Sequence, residues 1–395
     1  MKYVILLFLI TQIFFSCSSN QKSIQPINVN PGQVVNSDSV ITISVDVPKI
    51  KPFKIDDMLF NVKYIPLETN RQSIIGEISK VVCFNDRFYI LDSAITGSVY
   101  IFDKDGKYIS KISRKGEGPG EYTRIYDFDI DRFANEIVIF TGSPLKIIRN
   151  TMEGKFISEI HPPCYADKFI PLQNKISAIY LEYGDNTPFL KEEYNLIFVD
   201  STSTLKGGVL KYDHSRISNH FSKGLSIFYH YDSNSYFYPA LKDTIYRVGL
   251  NQITPVYAFN FGKDSFAKRI LQKDVNEQDK YFEEQSPPSF FYIFETNHVL
   301  CYFFSCNKGL YRGYYSKSTG KTFVGAICAN NRYFLGSPIG NTDEVLIDQL
   351  VTLVLVGYKN NLGRLSQEID PGLYEIINAY KETDNPVLVT YQINL

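Results

Sequence analysis

The stretch "DGKYISKI" at residues 105–112 returns 48 residues later as "EGKFISEI" at residues 153–160. A short apolar run precedes each copy, "VYIF" at 99–102 and "LKII" at 145–148. An acidic residue followed by glycine between two apolar runs indicates a hairpin turn. Further strand–turn–strand segments follow at 196–210, 244–259 and 311–327. A hairpin that recurs at a nearly fixed period predicts a chain built from repeats of one unit.

Each repeat also contains earlier strands. They are "KVVCF" with "RFYILD" (80–92), "YDFDID" with "EIVIF" (126–140), and "LSIFYHYD" with "SYFYPAL" (225–241). Evenly spaced strands, four to a unit and without helices between the strands, predict an all-β protein of the β-propeller class. Six four-stranded blades are the preferred count, and seven are the alternative. The charged stretch 263–285 predicts a helical insertion between two repeats.

The last repeat is composite in its pattern. "RYFLG", "EVLID" and "TLVLVGY" are interpreted as strands, followed by a predicted C-terminal helix near 364–382 and an apolar strand at 385–395. A strand at the end of the chain needs a partner, and the early strand at 60–68 is one candidate. Pairing of the two chain ends would close the ring and remove an exposed edge.

The N-terminus has the pattern of an export signal. One lysine and an apolar run precede Ser16 and Cys17, and the run is short for a membrane span. A small residue directly before a cysteine resembles the lipobox of bacterial lipoproteins. The sequence therefore predicts a signal peptide at 1–16, a lipid on Cys17, a flexible tether at 17–39 and a propeller domain at 40–395. An ordinary signal peptide with an incidental cysteine is the alternative.

Composition limits the partners. The 41 basic and 42 acidic residues give no overall field that would attract nucleic acid. Of six cysteines, five remain if Cys17 is acylated, and an odd number argues against a full disulfide framework. The odd separation of Cys301 and Cys306 along one strand points them to opposite faces, so we expect no bond between them. Beyond that, the disulfide states of Cys83, Cys164, Cys301, Cys306 and Cys328 stay open.

Four segments together resemble a known family. "KYIPLET", "VVCFNDRFYILD", "VYIFDKDGKYISKISRKGEGPGEY" and "NPVLVTY" are similar to the six-bladed β-propeller lipoproteins of gut-type bacteria, which are related to NHL-repeat propellers. The similarity runs from about residue 40 to the end. It implies a propeller fold and a lipid anchor at the outer membrane, with the domain periplasmic or surface-exposed. It implies no reaction and no catalytic residues.

The glycine-rich stretch "ISRKGEGPGEY" (112–122) is similar in composition to a phosphate-binding loop. A dinucleotide loop joins a strand to a helix, whereas another strand follows this one. We interpret Gly116, Gly118, Pro119 and Gly120 as a structural crossing between blades, with glycines that allow positive φ and close approach. The alternative is a ligand contact at the channel mouth, made by the charged residues Arg114, Lys115, Glu117, Glu121 and Arg124.

Other chemical signals are sparse. His214, His220 and His230, with Asp213 and Asp232 nearby, match no metal-ligand spacing, so no metal and no cofactor are predicted. The alternating acids of "DFDIDRFANE" (127–136) are interpreted as the solvated face of a blade. The aromatic runs "FYHYDSNSYFY" and "SFFYIFE" are interpreted as core between blades, with a sugar-stacking surface as the alternative.

Two classes of function fit this pattern. The preferred one is a monomeric binding or scaffold protein with a protein, peptide or glycan partner. The alternative is an enzyme, a lyase or hydrolase acting on a saccharide or peptide at the channel mouth. A propeller supports both, so the fold does not choose between them. Convergence of several His, Asp, Glu or Arg side chains on the channel would favour the enzyme.

Overall fold

A computed structural model describes residues 25–47, 55–142, 144–221, 224–265, 268–326, 332–365 and 369–395. Its strands form six separate sheets that follow one another around a ring. The predicted β-propeller with six four-stranded blades is confirmed. The signal peptide and Cys17 lie outside the described residues. No helix in the described ranges is both long and apolar enough to cross a lipid bilayer.

Three strands precede the first complete blade: β1 (Gln33–Val34), β2 (Ile41–Ser44) and β3 (Leu59–Pro66). Blade one contains β4 (Lys80–Phe84), β5 (Arg87–Asp92), β6 (Ser98–Asp103) and β7 (Tyr108–Ile112). Blade two contains β8 (Ile125–Asp131), β9 (Glu136–Thr141), β10 (Ile147–Thr151) and β11 (Phe156–Ile160). Blade three contains β12 (Lys168–Pro171), β13 (Ser177–Tyr180), β14 (Glu193–Val199) and β15 (Leu205–Tyr212). The recurring hairpins of the sequence are the outer two strands of these blades.

Blade four contains β16 (Phe228–Tyr231), β17 (Asn234–Phe237), β18 (Thr244–Gly249) and β19 (Gln252–Asn260). Blade five contains β20 (Ser289–Glu295), β21 (Val299–Cys306), β22 (Gly309–Ser316) and β23 (Thr322–Ala326). Blade six contains β24 (Gly340–Asn341), β25 (Leu346–Leu350) and β26 (Val387–Ile393), and β3 is its outermost strand.

The two ends of the chain close the ring. β26 pairs antiparallel with β3, with Val387 opposite Pro66 and Ile393 opposite Leu59. This is the pairing that the sequence offered as a candidate for the terminal strand. It places an N-terminal strand and a C-terminal strand in one sheet, so β26, the third strand of blade six, is paired on both of its edges.

The helical insertion lies where it was predicted, at 263–285 between two blades, but it is broken into short pieces. It consists of two 3₁₀ turns, Gly262–Asp264 and Lys268–Gln272, and α1 (Val275–Gln285). The carboxylate of Asp274 caps α1 by accepting a hydrogen bond from the backbone N–H of Glu277.

The C-terminal helical region begins earlier than predicted. It contains α2 (Thr352–Lys359), α3 (Leu362–Leu365) and α4 (Pro371–Ala379), inserted between β25 and β26. The interpretation of "TLVLVGY" as a strand is wrong, since these residues form α2. Periodicity does not distinguish a short apolar run in a strand from one in a buried helix. In this case Leu355 of α2 is buried in the same core cluster as Leu373 and Ile377 of α4.

The described part of the segment predicted as a tether, residues 25–39, pairs with the ring at several points. Ile27 bridges to Leu190 and Pro31 to Gly208, both in parallel. β1 and β2 then pair parallel with β19 at the outer edge of blade four. The polar composition of this segment gives no sign of the pairing. An exposed edge strand pairs through its backbone N–H and C=O groups, so the added strand does not need apolar side chains.

Antiparallel order within each blade gives the ring two distinct faces. The loop face carries the first residues of the innermost strands β4, β8, β12, β16, β20 and β24, together with the loops that join blades. The turn face carries the opposite ends of those strands, where each turns into the next strand. The loop 181–192, between β13 and β14, lies on the loop face by the same alternation.

Two details of the core bear on the sequence interpretation. Cys301 and Cys306 are both buried thiols, and no disulfide joins them. The aromatic runs pack between blades as predicted: the ring centroids of Tyr238 and Phe290, one from each run, are 4.8 Å apart, and those of Phe259 and Phe290 are 4.4 Å apart. Burial of such rings is the main apolar contribution to holding neighbouring blades together.

Candidate functional site

The innermost strands enclose a cavity on the axis of the ring, here called the axial pocket. It has a volume of about 290 Å³ and draws its lining from all six blades, including Lys80, Asp127, Lys168, Tyr292 and Gly340, and from loops of the loop face. A second cavity of about 310 Å³ lies toward the turn face. Cys83 lines both cavities, and so do three polar side chains, those of Arg132, His230 and Asn341. These three side chains therefore form a waist in the central channel.

The acidic alternation on β8 faces this channel and the blade interior. Asp127, Asp129 and Asp131 are only 4%, 2% and 1% exposed. The interpretation of these acids as a solvated face is wrong. β8 is the innermost strand of blade two, so a face that would meet water on an outer strand meets the ring axis here.

Lys80, on the neighbouring innermost strand, neutralises part of that charge. Its Nζ lies 2.9 Å from Asp127 Oδ1 and 3.4 Å from Asp129 Oδ2, and it donates to the carbonyl of Phe128 at 2.8 Å. Burial alone would lower the pKa of Lys80, but the two carboxylates outweigh it and raise the pKa. The ammonium group therefore stays charged and crosslinks blades one and two.

His230 reaches the same cluster from blade four, across the channel. Its Nε2 lies 3.2 Å from Asp129 Oδ1, and its Nδ1 lies 3.3 Å from Ser235 Oγ. Burial lowers the pKa of His230 more than the Asp129 carboxylate raises it. The neutral tautomer that satisfies both contacts donates from Nε2–H to Asp129 and accepts at Nδ1 from the Ser235 hydroxyl.

Asn341, from blade six, completes the waist. Its side-chain amide donates to the backbone carbonyl of His230 at 3.0 Å and to that of Glu295 at 2.7 Å. Four different blades thus contribute to one polar cluster. The waist is fixed by the ring itself rather than by a mobile loop, which favours a preorganised site.

The chemistry of this cluster favours binding over acid–base catalysis. Titratable groups do converge on the channel, which is the feature that favours an enzyme. However, both ring nitrogens of His230 are already bonded to protein groups. The pKa of Asp129 is lowered: Lys80 and His230 outweigh the effect of burial. A carboxylate with a lowered pKa is a weak general base, and a lysine with a raised pKa is a weak general acid, so neither group is matched to proton transfer near neutral pH.

One wall of the axial pocket is aromatic. Phe228 and Tyr229 of blade four and Tyr292 and Phe294 of the adjacent blade five form this wall, and Tyr126 of blade two is a fifth aromatic residue of the lining. Rings of this kind offer apolar faces to an organic ligand, and tyrosine adds a hydroxyl at the ring edge. The pocket therefore combines an apolar wall with a polar inner end at the waist.

The glycine-rich loop lies on the loop face and is held by internal contacts. Gly120 has φ 72°, and a Cβ there would lie 2.5 Å from the ring of Phe156. Gly116 and Gly118 do not have positive φ; instead, the carboxylate of Glu121 approaches their Cα atoms, and its Oε2 accepts from the N–H of Gly118 at 2.9 Å.

The charged candidates around this loop do not line the axial pocket or its neighbour. Arg114 donates to Asn150 Oδ1 at 2.9 Å and to the carbonyl of Gly154, which ties the loop to blade two. Arg124 lies 5.5 Å from the ring centroid of Tyr126, a pocket residue. Three other members of the loop, Lys115, Glu117 and Pro119, are exposed.

The three histidines that match no metal-ligand spacing, His214, His220 and His230, lie apart from one another. His214 Nδ1 lies 2.8 Å from Glu193 Oε2, His220 Nδ1 lies 3.2 Å from Glu283 Oε1, and His230 is in the channel. Asp185, Glu193 and His214 do form a group whose ligand atoms lie within 4.8 Å of one another. The hydrogen bond that His214 donates to the Glu193 carboxylate raises the pKa of His214. A metal would therefore compete with a proton for this imidazole.

Comparison with known proteins identifies the family. The chain matches the family described as a domain of unknown function, DUF4934, over residues 38–392. This chain belongs to the DUF4934 family. No curated protein matches it.

Two solved structures share the fold of this DUF4934 protein. One is a Bacteroides fragilis protein named as exported, at 22% identity and a TM-score of 0.70, covering 90% of this chain and 100% of that chain. The other is a DUF4221 family member from Bacteroides vulgatus, at 13% identity and a TM-score of 0.50, covering 85% and 97%. At these identities the likeness shows the fold alone.

Sequence reasoning found His230 and the acids of β8 but not their association. His230 is 101 residues from Asp129, and no sequence pattern singles out Lys80 or Asn341. The available signal was positional: β8 is the first strand after a blade crossing, and the first strand of each blade lines the channel. An acidic alternation at that position predicts a channel wall.

Proposed function

We propose that this chain is an exported, lipid-anchored binding protein of the cell envelope, which holds a protein, peptide or glycan partner by a group that enters the axial pocket. The observation that supports it is the pocket itself. A cavity of about 290 Å³ with an aromatic wall and a polar inner end has the size and composition of a small-ligand site. Its lining comes from six blades, so it is formed by the closed ring.

The lipid anchor rests on the sequence alone. The apolar run ending in Ser16 and Cys17 supports acylation of Cys17 and retention at the outer membrane. Labelling of cells with a radioactive fatty acid tests this proposal. We expect label in the wild type and none in Cys17→Ala. Equal label in both, or release of the wild type as a soluble protein, contradicts it.

Binding is tested on the mature chain carrying Cys17→Ser, with arrays of envelope peptides and glycans. Ser226 lines the axial pocket, and its hydroxyl donates to the carbonyl of Phe228. Ser226→Phe would place a ring in the cavity and should abolish binding. Ser318→Phe, in the exposed turn between β22 and β23, is the matched control. Retained binding in a folded Ser226→Phe variant contradicts the axial site.

The enzyme alternative is favoured by one observation, the convergence of Lys80, Asp127, Asp129, Arg132 and His230 on the channel. It requires His230 to exchange one of its two protein hydrogen bonds for one to a substrate. Incubation of any bound glycan or peptide with the protein tests it. New reducing ends or new amino termini, absent in Asp129→Asn, would promote the enzyme over the binding protein.

A further inference from the structure

We propose that Arg132, at the waist of the channel, binds a carboxylate group of the ligand that enters the axial pocket. This inference rests on the proposed function and names the chemical class of the ligand: an organic carboxylate whose body lies against the aromatic wall. The charged side chains of the pocket differ in how many bonds they already form with other protein groups.

The acids of the pocket are already engaged. Asp127 and Asp129 both bond to Lys80, and Asp129 also bonds to His230. Asp127 Oδ1 and Asp129 Oδ1 each accept a further backbone N–H, from Phe128 at 2.8 Å and Ile130 at 2.7 Å. A cationic ligand would therefore have to compete with Lys80 for both carboxylates.

Arg132, by contrast, forms few hydrogen bonds with the described residues. Among the described residues, its hydrogen bond is a long one from Nη2 to the carbonyl of Cys83 at 3.4 Å, and its guanidinium lies 5.6 Å from the ring centroid of Phe84. Its Nε is buried and has no hydrogen-bond partner there. Its charge lowers the pKa of Asp129 only as a minor contribution, behind those of Lys80 and His230. An unpaired buried N–H of a charged group costs free energy that an anionic acceptor would recover.

The position of Arg132 matches this role. It follows the last residue of β8 and lines both cavities, so its donors lie at the inner end of the axial pocket. Lys168 lines the same pocket at the first residue of β12, level with the loop face, and its ammonium has no ion-pair partner within the described ranges. Within the described residues, the charged groups of the pocket that form no ion pair are therefore Arg132 and Lys168, and both are positive.

A guanidinium offers Nε and Nη donors in a planar fork that fits the two oxygens of a carboxylate. The aromatic wall then contacts the remainder of the ligand. A carboxylate with an organic body occurs in two sources relevant to the proposed partners: the C-terminus of a peptide and a uronic acid unit of a glycan. Both present the same group to Arg132, and the test must separate them.

The experiment compares two acids with their neutral amides: N-acetyl-leucine with N-acetyl-leucinamide, and glucuronate with glucuronamide. Binding to the mature chain carrying Cys17→Ser is measured by calorimetry and by the shift in melting temperature. We expect at least one acid to bind and its amide to bind about tenfold or more weakly, the loss expected for one charge-assisted hydrogen bond. The acid that binds identifies the source.

Arg132→Gln should remove the preference for acid over amide, and Arg132→Lys should restore part of it. Arg71→Gln, an exposed arginine outside both cavities, is the matched control and should bind as the wild type does. If Arg132→Gln fails to fold, the acid and amide comparison on the wild type still decides.

Equal binding of acid and amide, or unchanged binding in Arg132→Gln, overturns the carboxylate inference and leaves the axial site standing. Absence of binding by both acids overturns it as well. The proposed function is tested by a different result: retained array binding in a folded Ser226→Phe variant would contradict it.

Discussion

Gly120 is the position where the glycine-rich loop has the least freedom to change. Alanine there would adopt φ 72° and place its Cβ 2.5 Å from Phe156 Cδ2. The backbone strain of a non-glycine residue in this region costs about 1–2 kcal/mol. Overpacking adds about 1–3 kcal/mol, and since the Phe156 side chain is 39% exposed, the lower half of that range applies. We expect Gly120→Ala to lower the free energy of unfolding by about 2–4 kcal/mol.

Gly118→Ala is the matched control two residues away. Its φ is not positive, and the nearest atom to its Cβ would be Glu121 Oε2 at 3.1 Å, the end of a flexible side chain. The N–H donated to that oxygen is retained. Its effect should stay within about 0.5 kcal/mol of zero.

Urea unfolding followed by far-ultraviolet circular dichroism measures both variants, with comparable slopes as the condition for comparing midpoints. A clear fall in the midpoint for Gly120→Ala alone supports the structural role of the loop. Equal midpoints for the two variants would refute the argument from φ and contact. Normal unfolding of Gly120→Ala with lost partner binding would instead make the loop a ligand site.

Three further predictions concern pH, ring closure and metal. The pKa of His230 is lower in the folded state than the ordinary value of about 6.5, so the unfolded chain binds more protons as the pH falls below that value. Acidification from pH 7 to 5 should therefore lower the melting temperature of the wild type more than that of His230→Gln. Deletion of 387–395 removes β26 and should yield insoluble protein, whereas deletion of 394–395 should give soluble protein in the same expression test. Metal analysis of the purified protein should find no stoichiometric zinc, and a zinc ion lost in His214→Ala would contradict this.

The repeat of outer hairpins was predictable because it depends on local patterns. An acidic–glycine turn between apolar runs specifies a hairpin wherever it occurs, as at Gly106 and Gly154, which both have positive φ. Ring closure was predictable for a related reason, since an apolar terminal strand must pair. By contrast, β12 and β13 were missed, because such short strands give little alternation to detect.

The candidate site was less predictable, since it depends on which way a face points. The alternation of Asp127, Asp129 and Asp131 correctly indicates a strand with one acidic face. It does not say whether that face meets water or the axis, because that depends on the order of the strand in its blade. The contact of Asp129 with His230 requires the full ring, and no local pattern encodes a pairing across the channel.

The docking of the N-terminal segment has a consequence for orientation. Ile27 pairs with Leu190 in the loop 181–192, which lies on the loop face. Only seven residues lie between Cys17 and Gln25, and the eight Cα–Cα steps across them span at most about 28 Å. With Cys17 acylated as proposed, this face is held close to the bilayer, and the axial pocket opens on the same side. A partner would then have to enter through a narrow gap beside the membrane, which favours thin, extended ligands over large folded domains.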